Sequence, residues 1–304
     1  PGQGSQRVGM GAELAKAFKC AKKIYERADQ ILGYSISKLC FEGPLEQLSL
    51  TKYTQPAVLT TSIAILEVLK EYGIEYEAVA GHSLGEYSAL IAAGVLSFED
   101  ALKIVQKRAE LMDSAIPAGE GGMAAVLGLD RKKVEEICTT ASAKGVVEPA
   151  NYNAPRQIVI SGTKEGLAEA TQLARQAGAK VIPLAVSGPF HSSLMKGVGE
   201  ALKQYLSGFD FKKPELALVM NVTGDYVYEP ERIRDYLVEQ VSSPVCWEQA
   251  VNRLFNDGFT DFIEVGPGQV LSGLVRRIAP NCKVAHVEDL ASLEKMLAEG
   301  GRTV

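Results

Sequence analysis

The sequence predicts an α/β protein, with a large unit built on a mainly parallel, hydrolase-like sheet and a smaller ferredoxin-like unit inserted into it. Three observations carry that expectation. Short apolar strand candidates alternate with amphipathic helical stretches toward both ends of the chain, the order that builds parallel sheets. A central run reads β-α-β-β-α-β, the ferredoxin-like plan. Two Pro/Gly-rich junctions, Pro117 to Gly122 and Ser187 to Pro189, bracket that run as hinges. The large unit is accordingly expected at 1–118 and 188–304, and the small one at 119–187.

From Gly9 to Leu32 the apolar positions Leu14, Ala17, Phe18, Ala21, Ile24, Tyr25 and Ala28 recur three and four apart, which predicts one helix. Gln55 to Tyr72 repeats the pattern, with Pro56 suited to a first turn and Gly73 to the stop. Glu77 to Ala80 is a short strand running into Gly81, followed by helix 86–93 and a second helix opened by Ser97 and ending near Ser114. In the central run the strands are 123–127, 146–151, 157–161 and 180–186, and the helices 131–143 and 164–177. The remainder returns to mixed character: strand 216–222, helices 231–241 and 246–256, strand 261–265, helix 270–278 and a late strand around His286.

Composition narrows the function classes. With 304 residues, 46% of them hydrophobic, the chain can fill a substantial core. The 37 acidic against 32 basic residues leave a net charge of −5, which is no footprint for nucleic acid. Five cysteines, scattered and never spaced C-x-x-C, suggest neither disulfides nor a zinc site and fit a reducing cytoplasm. The longest apolar stretch, Ala89 to Phe98, is about half of what a bilayer span needs. The chain starts at Pro1 with a loop-like Pro-Gly-Gln-Gly-Ser, and a strand is expected before it.

Gly81-His82-Ser83-Leu84-Gly85, between a strand and a helix, has the form of a nucleophile elbow, whose glycines permit a turn that lifts the serine hydroxyl above the strand end. The competing role for Ser83 is a helix cap. A serine nucleophile needs a base, and three histidines are available. His82 adjoins Ser83 and should point away from it, while His286 lies in a late strand. His191 follows the second hinge on a loop entering a helix, where catalytic groups concentrate, and is the candidate. Gly2-Gln3-Gly4-Ser5-Gln6-Arg7 lacks the third glycine of a dinucleotide fingerprint, and Gly266-Pro267-Gly268 has no lysine for phosphate and reads as a turn or cleft wall.

Pro1-Gly2-Gln3-Gly4-Ser5-Gln6, Gly81 through Ala89, Gly188-Pro189-Phe190-His191-Ser192 and Glu264-Val265-Gly266-Pro267-Gly268 together resemble malonyl-CoA:acyl carrier protein transacylases along the whole chain. The resemblance implies Ser83 as nucleophile, His191 as base and the N–H groups of Gln3 and Leu84 as oxyanion hole. In that family the histidine is oriented by a backbone carbonyl, which falls on Gln240, so Gln240→Ala is expected to lose little activity. The same resemblance implies Arg108 as the partner of the malonyl carboxylate, through its planar fork. Phe190 and Leu84 fit the malonyl rather than the branched methylmalonyl pattern.

The implied reaction is ping-pong transfer of malonyl from malonyl-CoA to the phosphopantetheine thiol of acyl carrier protein, supplying fatty acid synthesis. No resident cofactor or metal is implied, coenzyme A being a substrate, and a cytoplasmic monomer without nucleic-acid or membrane partners is expected. Arg156 and Lys180 are the candidates for docking the acidic carrier. The alternatives are a serine hydrolase, in which water resolves the acyl-serine, and a non-catalytic carrier-binding module with a vestigial elbow.

Overall fold

The computed structural model describes residues 1–117 and 119–299, so Ala118, the last residue expected in the first part of the large unit, lies outside them. Where the periodicity predicts one N-terminal helix there are two, α1 (Ala12–Ala17) and α2 (Lys19–Leu32). Phe18 separates them, with an extended backbone (φ −119°, ψ 126°) and a ring that packs edge-on against Tyr72. Its ring still meets the core, so apolar spacing runs unbroken across a break that spacing cannot register.

Two short unpredicted helices, α3 (Ile36–Glu42) and α4 (Leu45–Leu48), lead to α5 (Thr51–Glu71). This helix starts a turn before Gln55, which leaves Pro56 inside it and without the N–H that an interior position normally donates. Of its 21 residues 16 are buried, and such enclosure compensates for the lost bond. β1 (Ala78–Ala80) then meets the Gly81 turn, followed by α6 (Gly85–Ala92) and α7 (Phe98–Ser114). Ser97 Oγ caps α7 by accepting from the Asp100 N–H.

The central run holds β2 (Gly121–Leu127), α8 (Arg131–Ala141), β3 (Val147–Ala154), β4 (Gln157–Thr163), α9 (Lys164–Gln176) and β5 (Lys180–Pro183), in the predicted order. Gly121 and Gly122, expected in the hinge, already pair with Thr163 and Gly162. The sheet order is β3-β4-β2-β5 with every neighbour antiparallel, so each β-α-β half straddles a strand of the other. Val126, Ile158 and Ile160 pack there against Val134 and Ile137 of α8 and Ala170 of α9.

A 3₁₀ turn at Ser193–Met195 runs into α10 (Lys196–Leu206), then β6 (Ala217–Met220), a short β7 (Asp225–Tyr226) and α11 (Pro230–Gln240). α12 (Trp247–Asn256), β8 (Asp261–Val265), α13 (Val270–Ile278), β9 (Lys283–Val287) and α14 (Leu290–Ala298) complete the chain. The expected single parallel sheet is corrected here. β1 pairs parallel with β6, β6 antiparallel with β7, and β8 and β9 form a separate parallel pair. Between β1 and β8 lies a largely apolar cavity of about 210 Å³, lined by Leu66, Val79, Ala80, Val251, Phe262 and Ile263 among others.

The protein is therefore α/β, about half helical, with small mixed and antiparallel sheets. The antiparallel sheet is tied to the rest through its β3 strand: Tyr152 N–H donates to Val245 O and Val245 N–H to Ala150 O. Glu148 accepts from the N–H and hydroxyl of Ser193, and the two predicted hinges touch, Gly121 against Pro189. No described helix is long and apolar enough to cross a membrane, and all five cysteines are free.

Candidate active site

The Gly81–Gly85 turn is as tight as its glycines suggest. A Cβ on Gly81 would collide with the Gly85 carbonyl and the Glu86 N–H, and Ser83 itself sits at φ 51°, a left-handed conformation that non-glycine residues seldom adopt. That strain is held from β6. At its end, Asn221 Oδ1 accepts from the Ser83 N–H at 2.6 Å while its Nδ2 donates to Gly81 O at 2.6 Å. One buried side chain thus clamps the start and the centre of the strained turn.

His191 arrives from the second hinge with φ 59°, and its N–H is fixed by the Val241 carbonyl. Its Nε2 lies 2.8 Å from Ser83 Oγ and its Nδ1 2.7 Å from the Gln240 carbonyl, at the end of α11. A carbonyl only accepts, so Nδ1 carries the proton and Nε2 presents its lone pair to the serine hydroxyl. Burial and the nearby Arg108 guanidinium drive the His191 pKa down to about 3, which keeps the ring neutral and able to take a proton.

Arg108, from α7, is fully buried. Its Nη1 donates to Gln55 Oε1 at 2.6 Å, and its Nη2 donates both to Gln240 Oε1 at 2.9 Å and to Ser83 Oγ at 3.2 Å. The Tyr87 ring lies 5.7 Å from the guanidinium carbon, and Nε has no partner among the described residues. Within ion-pair distance there is no described carboxylate. A buried cation with a spare donor beside a serine hydroxyl can take an anionic group. Burial lowers its pKa, yet arginine stays charged.

Gln240 is not the solvated residue that a helix end suggests. Fully buried, its Nε2 donates to Ser83 O at 3.0 Å and to Glu86 Oε2 while its Oε1 accepts from Arg108. Its side chain therefore has structural work beyond the backbone carbonyl offered to His191, which removes the ground for expecting Gln240→Ala to be nearly silent.

The Gly2–Gln3 loop packs on the elbow, with Gly2 so close to the His82 carbonyl that a Cβ would crowd it. Gln3 Nε2 bonds Thr51 Oγ1, which in turn bonds Ser187 Oγ. Among the described residues the N–H groups of Gln3 and Leu84 have no acceptor within the protein. Gly266 presses on Pro1 and Ser62, and Glu264 accepts from the Leu271 and Ser272 N–H groups, so that turn braces the loop.

The other histidines lie apart from this chemistry. His82 turns to Asn153 Oδ1 at 2.8 Å with its ring tilted over Trp247, and His286 faces Glu288. The 210 Å³ cavity is lined by none of Ser83, His191 and Arg108 and is not the reaction site. Glu86, Asn221 and Gln55 were missed from the sequence. Each is polar at the edge of a mainly apolar run, Glu86 before Tyr87-Ser88-Ala89-Leu90, Asn221 after Leu218-Val219-Met220, Gln55 before Pro56-Ala57-Val58-Leu59, and that placement was the available signal.

A strained serine on an elbow, a carbonyl-anchored neutral imidazole and a buried arginine define an acyl-transfer site, and residues 1–299 match the acyl transferase domain family, to which the chain belongs. Within it the relatives are of one kind. The malonyl CoA-acyl carrier protein transacylase of Bacillus subtilis is 50% identical over 97% of this chain and 93% of its own length. The Clostridium perfringens malonyl CoA-acyl carrier protein transacylase superposes with a TM-score of 0.95 at 42% identity, covering 98% of this chain and 94% of that one. A structure described as a type II PKS acyl-carrier protein in complex with its malonyl-transacylase matches with a TM-score of 0.96 at 41% identity, over 99% and 98% of the two chains. The chain is a member of the malonyl CoA-acyl carrier protein transacylase family.

Two stability measurements test the packing. Gly81→Ala is expected to cost roughly 3 kcal/mol, because the obstacle is backbone that cannot step aside, and a wild-type urea midpoint would contradict it. Gln240→Ala leaves buried donors and acceptors unpaired on Arg108 and Glu86 and is expected to cost about 2 kcal/mol or more; an unshifted midpoint would mean that water or a neighbour takes over those bonds.

Proposed function

We propose that this protein transfers malonyl from malonyl-CoA to the phosphopantetheine thiol of acyl carrier protein through a malonyl-Ser83 intermediate, supplying fatty acid synthesis. Arg108 carries this reading: its charge is fully buried 3.2 Å from the Ser83 hydroxyl and has no carboxylate within ion-pair distance among the described residues. An acyl group that ends in a carboxylate supplies one.

In the first half-reaction the Ser83 proton moves to His191 Nε2 as Oγ attacks the thioester carbonyl. The oxyanion is held by the N–H groups of Leu84 and Gln3, charge that exists only in the tetrahedral state. The carbon–sulfur bond breaks, and His191 returns the proton to the coenzyme A sulfur. In the second half-reaction His191 takes the proton of the carrier thiol, the sulfur attacks the acyl carbon, and Ser83 recovers its hydroxyl. The Gln240 carbonyl keeps the imidazole in the tautomer that both halves need, and with no carboxylate behind it the imidazolium is stabilised less than in a triad.

The antiparallel unit, 119–187, is read as a ferredoxin-like subdomain inserted in a large domain made of 1–118 and 188–304. Its strand order supports this, and so do the two hinges that meet at Gly121 and Pro189. The acidic carrier is proposed to dock on this subdomain near Arg156 and Lys180, both exposed, with the Arg156 guanidinium donating to Gly128 O. A cytoplasmic monomer completes the reading.

Ser83→Ala is expected to abolish the malonyl mass adduct and all passage of label to holo-carrier protein; release of the label as free malonate by the wild type would point to a hydrolase instead. Arg108→Ala is expected to lower malonyl loading by about a hundredfold and acetyl loading far less, and unchanged selectivity would remove Arg108 from the site. Because His191 is held near 3, well under its ordinary value, the base stays neutral as pH falls from about 8 to about 5.5. Malonyl loading should therefore show no acid limb centred near the ordinary histidine value, and finding one there would contradict the assignment.

A further inference from the structure

Glu86 is an ionisable side chain that the transfer cycle does not use, and it is fully buried. Burying a carboxylate costs several kcal/mol unless its oxygens are satisfied, and here both are. Oε1 accepts the Asn221 N–H and Oε2 accepts from Gln240 Nε2. Burial moves its pKa up to about 8, with those two bonds and the Arg108 charge pulling the other way.

The second of these bonds has a directional effect. A side-chain amide has one donating end and one accepting end. With Glu86 Oε2 and the Ser83 carbonyl both demanding a donor, the Gln240 nitrogen must face them, and its oxygen must face Arg108 Nη2. Turned over, Gln240 would set its own N–H₂ against the guanidinium and its oxygen against two acceptors. Arg108 Nη2 spends one hydrogen on Gln240 Oε1 and the other on Ser83 Oγ, while Gln55 fixes Nη1.

We propose that Glu86 is a positioning residue for acyl selectivity: through the amide of Gln240 it holds the Arg108 guanidinium aimed at the Ser83 hydroxyl, and so sets the preference for acyl groups that carry a carboxylate. Glu86 touches neither the hydroxyl nor the substrate in this scheme. The inference rests on the reading of Arg108 as partner of the malonyl carboxylate.

The near-isosteric Glu86→Gln is the discriminating change, because one end of the new amide must then present a donor to a donor, either Gln240 Nε2 or the Asn221 N–H. Ser83 acylation from malonyl-CoA and from acetyl-CoA is followed by intact-protein mass spectrometry in wild type, Glu86→Gln, Arg108→Ala and the double variant, alongside thermal melts. The malonyl-to-acetyl ratio is expected to fall about tenfold or more in Glu86→Gln, and no further when Arg108→Ala is already present. A purely structural role would lower the melting temperature and leave the ratio alone. A folded Glu86→Gln with the wild-type ratio overturns the proposal, as does a ratio that falls again in the Arg108→Ala background. If Arg108→Ala itself leaves the ratio unchanged, the carboxylate reading fails first and this one with it. Should Glu86→Gln not fold, Gln240→Met, which removes the amide and keeps Glu86, must shift the ratio the same way, and an unshifted ratio there also overturns the proposal.

Discussion

The buried guanidinium of Arg108 is the constraint that organises this site. A cation withdrawn from water must be surrounded by acceptors, and here the acceptors are neutral: the amide oxygens of Gln55 and Gln240 and the hydroxyl of Ser83. Neutral partners satisfy hydrogen bonds but leave the charge uncompensated at close range. Glu86, one amide removed, reaches it only through Gln240. The residual positive potential falls on the serine oxygen, where it favours the alkoxide, and on the histidine, where it disfavours the imidazolium.

The same site stores backbone strain. Ser83 and His191 both hold left-handed backbone conformations, and both are pinned by hydrogen bonds to their main-chain atoms, from Asn221 in one case and Val241 in the other. Such conformations cost about 1–3 kcal/mol each and persist where surroundings over-determine them. α5, enclosed by its neighbours, supplies Gln55 and Thr51 from its first turns, which links the rigid centre of the fold to Arg108 and to the Gln3 loop.

How much of this was legible in the sequence depended on the range of the cause. The elbow was readable because a five-residue turn with glycines at both ends is a local steric requirement, and His191 because only three histidines had to be sorted. The β-α-β-β-α-β run was readable because every period change in it is local. The division of the expected parallel sheet was not, since which strand neighbours which is settled by packing between distant segments. Nor were Glu86, Asn221 and the Gln240 side chain, which come from three separate elements and matter only because folding points them at one place. Arg108 itself was reached by resemblance, since nothing in helical spacing separates a buried arginine from a surface one.

The anchor of His191 is a main-chain carbonyl, and that has a consequence for genetics. A triad carboxylate can be erased by one codon change, whereas every amino acid brings a carbonyl oxygen to position 240. Mutational scanning of this protein will therefore register the side-chain duties of Gln240 and stay blind to its hold on His191. Only changes that move the end of α11, rather than its chemistry, expose that service.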